Sequence, residues 1–260
     1  MRESSEFKYV GETWPFATLS GWNHESIHIA QVQKHPAFKK LIEAPNPLGI
    51  AHEANPPVGN SLVGHNLIMA FAYVLGRTLA WSNHGVMWWL DWGCGLGHYS
   101  AIAKELYPEG EIYYTGVDLP KPLDRVGILD SATNLYDGLF QSSNAELQRR
   151  FNLVMASGSI NYVAPWKALM ARLTAKVDHF LYITRLPTVL EAPSFVFSQN
   201  ARKYGYDTDL IGWCLNKGEF LDYAKEIGLH LEREFMVEEN PIIDGALEQP
   251  VGRGFLFTVR

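Results

Sequence analysis

Three glycines at alternate positions, Gly93, Gly95 and Gly97, form the segment of this sequence best suited to hold a ligand. They follow the continuous apolar run Val86–Leu90, which is typical of a strand buried on both faces of a parallel sheet. A tight turn from a strand into a helix needs backbone conformations that glycine adopts at low cost. Because such a turn has no side chains and the next helix begins with unpaired N–H groups, it predicts a site where a ligand carboxylate meets the backbone.

An acid, Asp118, ends the next apolar stretch, Tyr113–Val117. An acid about 20 residues after a glycine turn, at the end of the second strand, can accept hydrogen bonds from both hydroxyls of a ribose. Dinucleotide-binding sites use the spacing G-x-G-x-x-G, whereas here the third glycine comes one residue earlier and is followed by His98. The two elements together favour a nucleoside ligand that is not a dinucleotide.

The stretch Asp91–Gly97 resembles the first motif of class I S-adenosylmethionine-dependent methyltransferases, and Asp118 matches their ribose acid. The resemblance implies S-adenosylmethionine as cofactor. It also implies that Asp91 supports the turn or binds the cofactor's ammonium group, and that Leu119 packs on the adenine. The predicted cofactor residues are Asp91, Trp92, Gly93, Cys94, Gly95, Gly97, Asp118, Leu119, Asp137, Ser157, Gly158 and Ser159. For Asp137, which precedes Gly138, a plain turn is an equal alternative.

The candidates for contact with a methyl acceptor are polar residues near predicted strand ends: His98, Tyr162, Arg185 and Gln199. Arg185 follows the fourth strand, where an arginine either binds a carboxylate or phosphate or forms a surface salt bridge. His98 is either a general base or a residue that packs on the helix start. His65 is a core histidine or reaches over the site. No metal-ligand spacing is present, so no metal site is predicted.

Strands and helices alternate along most of the chain, which predicts a doubly wound, mostly parallel sheet. We expect seven strands, a C-terminal antiparallel hairpin, and two regions: an N-terminal helical lid over 1–85 and a Rossmann-like domain over 86–260. The individual strands are predicted at Val86–Leu90, Glu111–Val117, Phe151–Ala156, His179–Thr184, Leu231–Val237 and Gly254–Val259. The helices are predicted at Ile27–Leu41 (interrupted at Pro36), Leu62–Trp81, His98–Leu106, Trp166–Ala175 and Glu219–Ile227.

The amino-acid composition excludes several classes of protein. Of 260 residues, 47% are hydrophobic and the formal net charge is -6, so the chain can bury a core but lacks the basic surface that nucleic acid requires. Two distant cysteines, Cys94 and Cys214, form neither a disulfide framework nor a metal cluster. The N-terminus has no signal segment, and the apolar run Leu67–Leu75 is too short for a membrane span. We expect a cytoplasmic protein, with a homodimer as one option.

The C-terminal half is similar to a bacterial methyltransferase family associated with polysaccharide and lipopolysaccharide loci. The similarity is carried by the segments 156–162, 182–187, 197–199 and 212–216. From Arg185, the acidic composition and an N-terminal region long enough to close over a small ligand, we expect methyl transfer to a small, polar, anionic metabolite, such as a nucleotide-linked sugar or a natural-product intermediate, through a hydroxyl, amine or carboxylate. Two alternatives stay open. One is an S-adenosylmethionine-binding enzyme of other chemistry (a cyclase, decarboxylase or aminopropyl transferase), and the other is a catalytically silent partner subunit.

Overall fold

The protein is a mixed α/β structure in which helices cover both faces of one large, mostly parallel sheet. The computed structural model describes residues 5–15, 21–45, 48–82, 85–119 and 148–259, and the backbone of 134–137. The described strands are β1 (Phe7–Gly11), β2 (Val86–Trp92), β3 (Glu111–Asp118), β4 (Asn134–Asp137), β5 (Phe151–Ser157), β6 (Val177–Val189), β7 (Phe195–Asn200), β8 (Asp209–Asn216), β9 (Leu229–Met236), β10 (Ile243–Asp244) and β11 (Val251–Val259). The described helices are α1 (Glu25–Glu43), α2 (Leu62–Trp81), α3 (His98–Leu106), α4 (Trp166–Thr174) and α5 (Lys217–Glu226).

Seven strands form the central part of the sheet, and all of them except β4 coincide with strands predicted from the sequence. They lie in the order β4-β3-β2-β5-β6-β11-β9, and the pairs from β4 to β6 are all parallel. The last two strands form the predicted antiparallel pair, with β11 inserted between β6 and β9. The chain order reverses direction between β2 and β5, and open α/β sheets bind ligands beyond the carboxyl ends of their strands at such a point.

The predicted count of seven strands is wrong, because the described sheet has eleven. The strands β8, β7, β1 and β10 extend the sheet in that order from the end of β6, where Thr188 and Val189 pair with β8. The strand β5 ends before that point, because its last residue, Ser157, pairs with Thr184 of β6. The four additional strands therefore lie past the carboxyl end of the central strands. The strand β1 is one of these additional strands, so the region 1–85, which was predicted to be a helical lid, also contributes a strand to the sheet.

Alternate residues of the central strands enter separate cores on the two faces of the sheet. Trp89 lies in the core that α1, α2 and α3 cover, and its neighbour Leu90 lies in the core that α4 and α5 cover. The helix α1 continues through Pro36 without interruption, so the predicted break there is wrong. Ser61 caps α2 by accepting a hydrogen bond from the Gly64 N–H.

Among the described helices, α2 alone is long and apolar enough to cross a membrane when length and composition are the only criteria. Several of its side chains, among them Phe71, Val74 and Leu75, are fully buried in the core that contains Trp89. A helix at the centre of a folded domain can have the same length and apolar composition as a membrane-spanning helix.

Candidate functional site

The glycine turn lies at the carboxyl end of β2 and has the left-handed backbone that its sequence requires. The φ angles are 75° at Gly93, 55° at Gly95 and 70° at Gly97, which caps α3. A side chain at Gly93 would meet Ser159, whose Cβ lies 2.5 Å from the position that an added Cβ would take. At Gly95 the nearest atoms to an added Cβ are 3.8 Å away, on the Gln31 side chain, so a methyl group there would make only ordinary contact.

Asp118, at the end of β3, contacts the glycine turn. Its Oδ2 accepts a hydrogen bond of 2.6 Å from the Gly95 N–H, and its Oδ1 accepts one of 2.7 Å from the Leu119 N–H. Each oxygen of an ionised carboxylate can accept a second hydrogen bond. Asp118 can therefore hold the turn and still bind two hydroxyl groups.

Asp91, the last acid before the turn, is buried, with 1% of its surface exposed. Burial raises the pKa of its carboxyl to about 7, although the Tyr114 hydroxyl, which donates a hydrogen bond of 2.9 Å to Oδ2, opposes that shift. The nearby charge of Asp118 raises the pKa further. A ligand cation at this point would favour the ionised form.

The loop after β5 forms the wall opposite the turn. The Ser159 hydroxyl donates a hydrogen bond of 3.0 Å to the Trp92 carbonyl, and the Ser157 hydroxyl shares one of 3.0 Å with Tyr99. Gly158 takes a φ of 55° beside the Arg185 side chain. These contacts bring the predicted segment 157–159 and the glycine turn together around one space.

That space is a cavity of about 1680 Å³. Pockets for one small ligand measure roughly 300–1,000 Å³, so this cavity has room for a cofactor and an acceptor. Of the predicted cofactor residues that the structure describes in full, every one except Gly97 lines it: Asp91, Trp92, Gly93, Cys94, Gly95, Asp118, Leu119, Ser157, Gly158 and Ser159. Asp137 pairs with Asp118 in the β3–β4 register, but its side chain lies outside the described residues.

The four predicted acceptor residues, His98, Tyr162, Arg185 and Gln199, also line the cavity. His65 does not, because it is exposed on α2 rather than buried in the core or turned toward the site. Among the described residues, no group of three histidine, cysteine or acidic side chains is arranged to hold a metal ion.

Arg185 is engaged by two carboxylates. Its guanidinium donates two hydrogen bonds of 2.9 Å to Glu239, one to each oxygen, and one of 2.9 Å to Glu53. Burial raises the pKa of Glu53, but the charge and hydrogen bond of Arg185 outweigh it and hold that pKa below its usual value. The side chain is 19% exposed, and its φ of 56° costs about 1 kcal/mol or more in a residue other than glycine.

This arrangement revises the expectation that Arg185 holds an anion. Two carboxylates already bind the guanidinium, and the charge of Lys34 also lowers the Glu53 pKa, so the group is close to neutral and Arg185 offers no uncompensated positive charge to a ligand carboxylate or phosphate.

His98 lies in a cluster of rings. Its ring centroid is 4.2 Å from that of His52 and 4.8 Å from that of Phe38, and His35 lies 6.0 Å away. Burial, with smaller contributions from His52 and His35, holds the pKa of His98 well below its usual value. The imidazole is neutral at pH 7 and too weakly basic to retain a proton there, which favours a packing role over general-base catalysis.

Tyr162 and Gln199 form a hydrogen-bonded chain. The Tyr162 hydroxyl donates to Gln199 Oε1 at 2.9 Å, Gln199 Nε2 donates to Glu6 at 3.0 Å, and Lys203 forms an ion pair with Glu6. Burial raises the pKa of the Tyr162 hydroxyl above its usual value. Tyr162 therefore acts as a hydrogen-bond donor and not as a base.

Several side chains of the cavity were not predicted from the sequence, among them Gln31, Glu53, Asn161 and Glu239. Gln31 extends from α1 over Gly95, and its Oε1 is buried without a hydrogen-bond partner. Its position was detectable, because Ile27, His28 and Gln31 recur at helical spacing and all line the cavity. Glu53 and Glu239 lie in loops and could not be distinguished from solvated acids in the sequence.

Solved structures of related shape have the same architecture. The chain superposes with a TM-score of 0.52 and 13% identity on the Burkholderia thailandensis 1,6-didemethyltoxoflavin-N1-methyltransferase, with bound 1,6-didemethyltoxoflavin and S-adenosylhomocysteine. The superposition covers 96% of this chain and 93% of that one. A complex of LepI with S-adenosylmethionine gives a TM-score of 0.50 and 13% identity, covering 89% of this chain and 64% of that one.

The fold is therefore that of the class I S-adenosylmethionine-dependent methyltransferases. No protein-family model matches the chain, and no curated protein matches it by sequence. The similarity of the C-terminal half to the polysaccharide-locus family stays a hypothesis.

Proposed function

We propose that this protein binds S-adenosylmethionine at the glycine turn and transfers its methyl group to a small polar metabolite. The observation that carries the proposal is the contact between the Asp118 carboxylate and the Gly95 N–H, which joins the ribose acid to the turn at the reversal point of the sheet. A cavity large enough for two ligands begins at that contact. The shared fold supports the same function.

The residues present fit this cofactor. Free positions on both Asp118 oxygens suit the ribose hydroxyls, and Gly95, which lines the cavity without a side chain, suits a ligand pressed against the backbone. The unpartnered Gln31 Oε1 and the buried Asp91 suit an ammonium group, which donates hydrogen bonds and carries positive charge. When bound, the cofactor supplies an electrophilic methyl group on a sulfonium, so the protein needs to align the acceptor and exclude water.

The acceptor space lies between the 157–162 loop, α1 and the additional strands β7 and β8. Its lining includes Tyr162, Phe197 and Gln199, together with the Arg185 group. We assign these residues to acceptor binding and keep hydroxyl, amine and carboxylate groups as candidate methyl acceptors. The acidic chain makes nucleic acid an unsuitable substrate.

The proposal is tested by incubating the protein with methyl-tritiated S-adenosylmethionine and small-molecule extracts, then measuring labelled product and S-adenosylhomocysteine. Label in a small product, lost in Asp118→Asn, supports methyl transfer. Cofactor consumption without a methylated product instead favours a cyclase, a decarboxylase or an aminopropyl transferase. Binding without turnover on any extract favours a silent partner subunit, and the absence of binding overturns the assignment of the site.

A further inference from the structure

An aromatic chamber forms the part of the cavity beside β7 and β8. Trp22 packs edge-on against Tyr162, with ring centroids 5.2 Å apart, and against Tyr206, at 6.1 Å. Tyr204 lies 6.0 Å from Tyr206, and Phe197 lies 6.4 Å from Tyr162. All five rings line the cavity. Flat, rigid walls of this kind favour a planar ring as occupant.

Acidic side chains outnumber basic ones in the lining of the cavity. Six carboxylates line it (Glu6, Glu53, Asp91, Asp118, Glu238 and Glu239), against three cationic side chains (Arg172, Arg185 and Lys203). Asp91 and Asp118 lie at the glycine turn and are assigned to the cofactor. On the acceptor side, Lys203 pairs with Glu6, and Arg185 is shared between Glu53 and Glu239. Lys34 donates a hydrogen bond of 2.9 Å to the Glu53 carbonyl and its charge also acts on Glu53, so the Arg185 group is balanced and offers carboxylate oxygens to a ligand but no uncompensated cation.

An unpartnered acceptor atom is independent evidence for a ligand. Asn161 is 2% exposed and lines the cavity, and its Oδ1 has no hydrogen-bond partner among the described residues. A buried polar atom without a partner costs roughly 1–3 kcal/mol, which a bound N–H or O–H donor would recover. An anionic group offers no donor to this oxygen.

On the basis of the proposed function, we propose that the acceptor is a small aromatic amine, a planar ring with N–H donors and no net negative charge. The ring occupies the chamber defined by Trp22, Tyr162, Phe197, Tyr204 and Tyr206. Its N–H groups donate to Asn161 Oδ1 and to the carboxylates that surround Arg185. This class replaces the anionic metabolite expected from the sequence.

The test measures binding of three indole probes by calorimetry with the protein saturated in S-adenosylhomocysteine. The probes are tryptamine, 3-methylindole and indole-3-propionate, which share one ring and carry a positive, zero and negative charge. Tryptamine should bind tightest and indole-3-propionate weakest, with about tenfold between these two, as expected for one charge-assisted hydrogen bond. Any other order, or no binding of any probe at about 1 mM, overturns the proposed class.

Two variants test which residues cause the preference for tryptamine over indole-3-propionate. Glu239→Gln removes one of the two carboxylates and shifts the charge of the group toward positive while Glu53 still pairs with Arg185, so the tenfold preference for tryptamine over indole-3-propionate should disappear. Asn161→Leu removes the acceptor atom and should weaken tryptamine about tenfold with little effect on 3-methylindole. Glu226→Gln, an exposed residue of α5 outside the cavity lining, is the matched control and should behave as wild type. An unchanged preference in both test variants contradicts the proposal.

S-adenosylhomocysteine binding is measured first, because it tests the proposed function separately from the proposed acceptor class. No cofactor binding overturns the proposed function itself. Cofactor binding without the predicted probe order overturns only the acceptor class.

Discussion

Gly95→Ala separates a role in cofactor binding from a role in folding. The added methyl group would stand 3.8 Å from Gln31, which is ordinary contact, so the fold has room for it. The backbone φ of 55° makes alanine unfavourable by about 1–2 kcal/mol, equivalent to a few degrees in the unfolding temperature for a chain of this length. In the cofactor complex the same methyl group would occupy the space that the ligand needs. Overpacking there should cost a further 1–3 kcal/mol, or roughly 10- to 100-fold in affinity.

Gly228→Ala is the matched control, because Gly228 has a φ of 86° and no atom within 4 Å of an added Cβ. Both variants should lose similar stability in thermal unfolding. Only Gly95→Ala should lose affinity for S-adenosylhomocysteine in calorimetry. Equal affinities in the two variants would refute the placement of the cofactor against the turn. Gly93→Ala is unsuitable for this purpose, since its Cβ would collide with Ser159 and disturb the fold.

Three further predictions concern charged residues of the cavity. Asp118→Asn should weaken S-adenosylhomocysteine binding by about 1.5–3 kcal/mol in calorimetry, because charge-assisted hydrogen bonds are lost, and an unchanged affinity would exclude a ribose contact. The folded protein keeps the Asp91 proton up to about pH 7 while the unfolded chain loses it near pH 3.8, so this group lowers stability increasingly as pH rises between those values. In urea unfolding, the gain in stability of Asp91→Asn over wild type should therefore be larger at pH 8 than at pH 4, and a gain independent of pH would contradict the burial of this acid. Arg185→Met leaves Glu53 and Glu239 without their shared cation and should destabilise the fold by about 2 kcal/mol at pH 7, less than for a fully buried pair. That loss should shrink near pH 4, where the carboxylates take up protons, and a pH-independent loss would argue against the ion group.

The sequence was sufficient for the central sheet and the cofactor turn, because both depend on local patterns. The predicted strands and helices are all present within the described chain. Buried strands such as β2, with its apolar run Val86–Leu90, have continuous apolar sequences, and the glycines are spaced for the positive φ angles that they adopt. The site residues nearest in sequence to strand ends were found for the same reason.

Contacts between residues far apart in the sequence could not be predicted from such local patterns. The strand β1 pairs with β7, about 190 positions later, and neither strand shows clear alternation of polar and apolar residues. The Arg185 group joins residues 132 and 54 positions apart. Taken alone, Arg185 resembles an anion-binding arginine, and only its two partners show that its charge is already neutralised.

The central claim is that the cavity beside Asp118 binds S-adenosylmethionine, and calorimetric titration with S-adenosylhomocysteine tests it most directly. The account predicts one site with an affinity in the micromolar range, no binding of NAD, and a weaker affinity in Gly95→Ala than in Gly228→Ala. Binding of NAD in place of S-adenosylhomocysteine, or no binding of either compound, would contradict it.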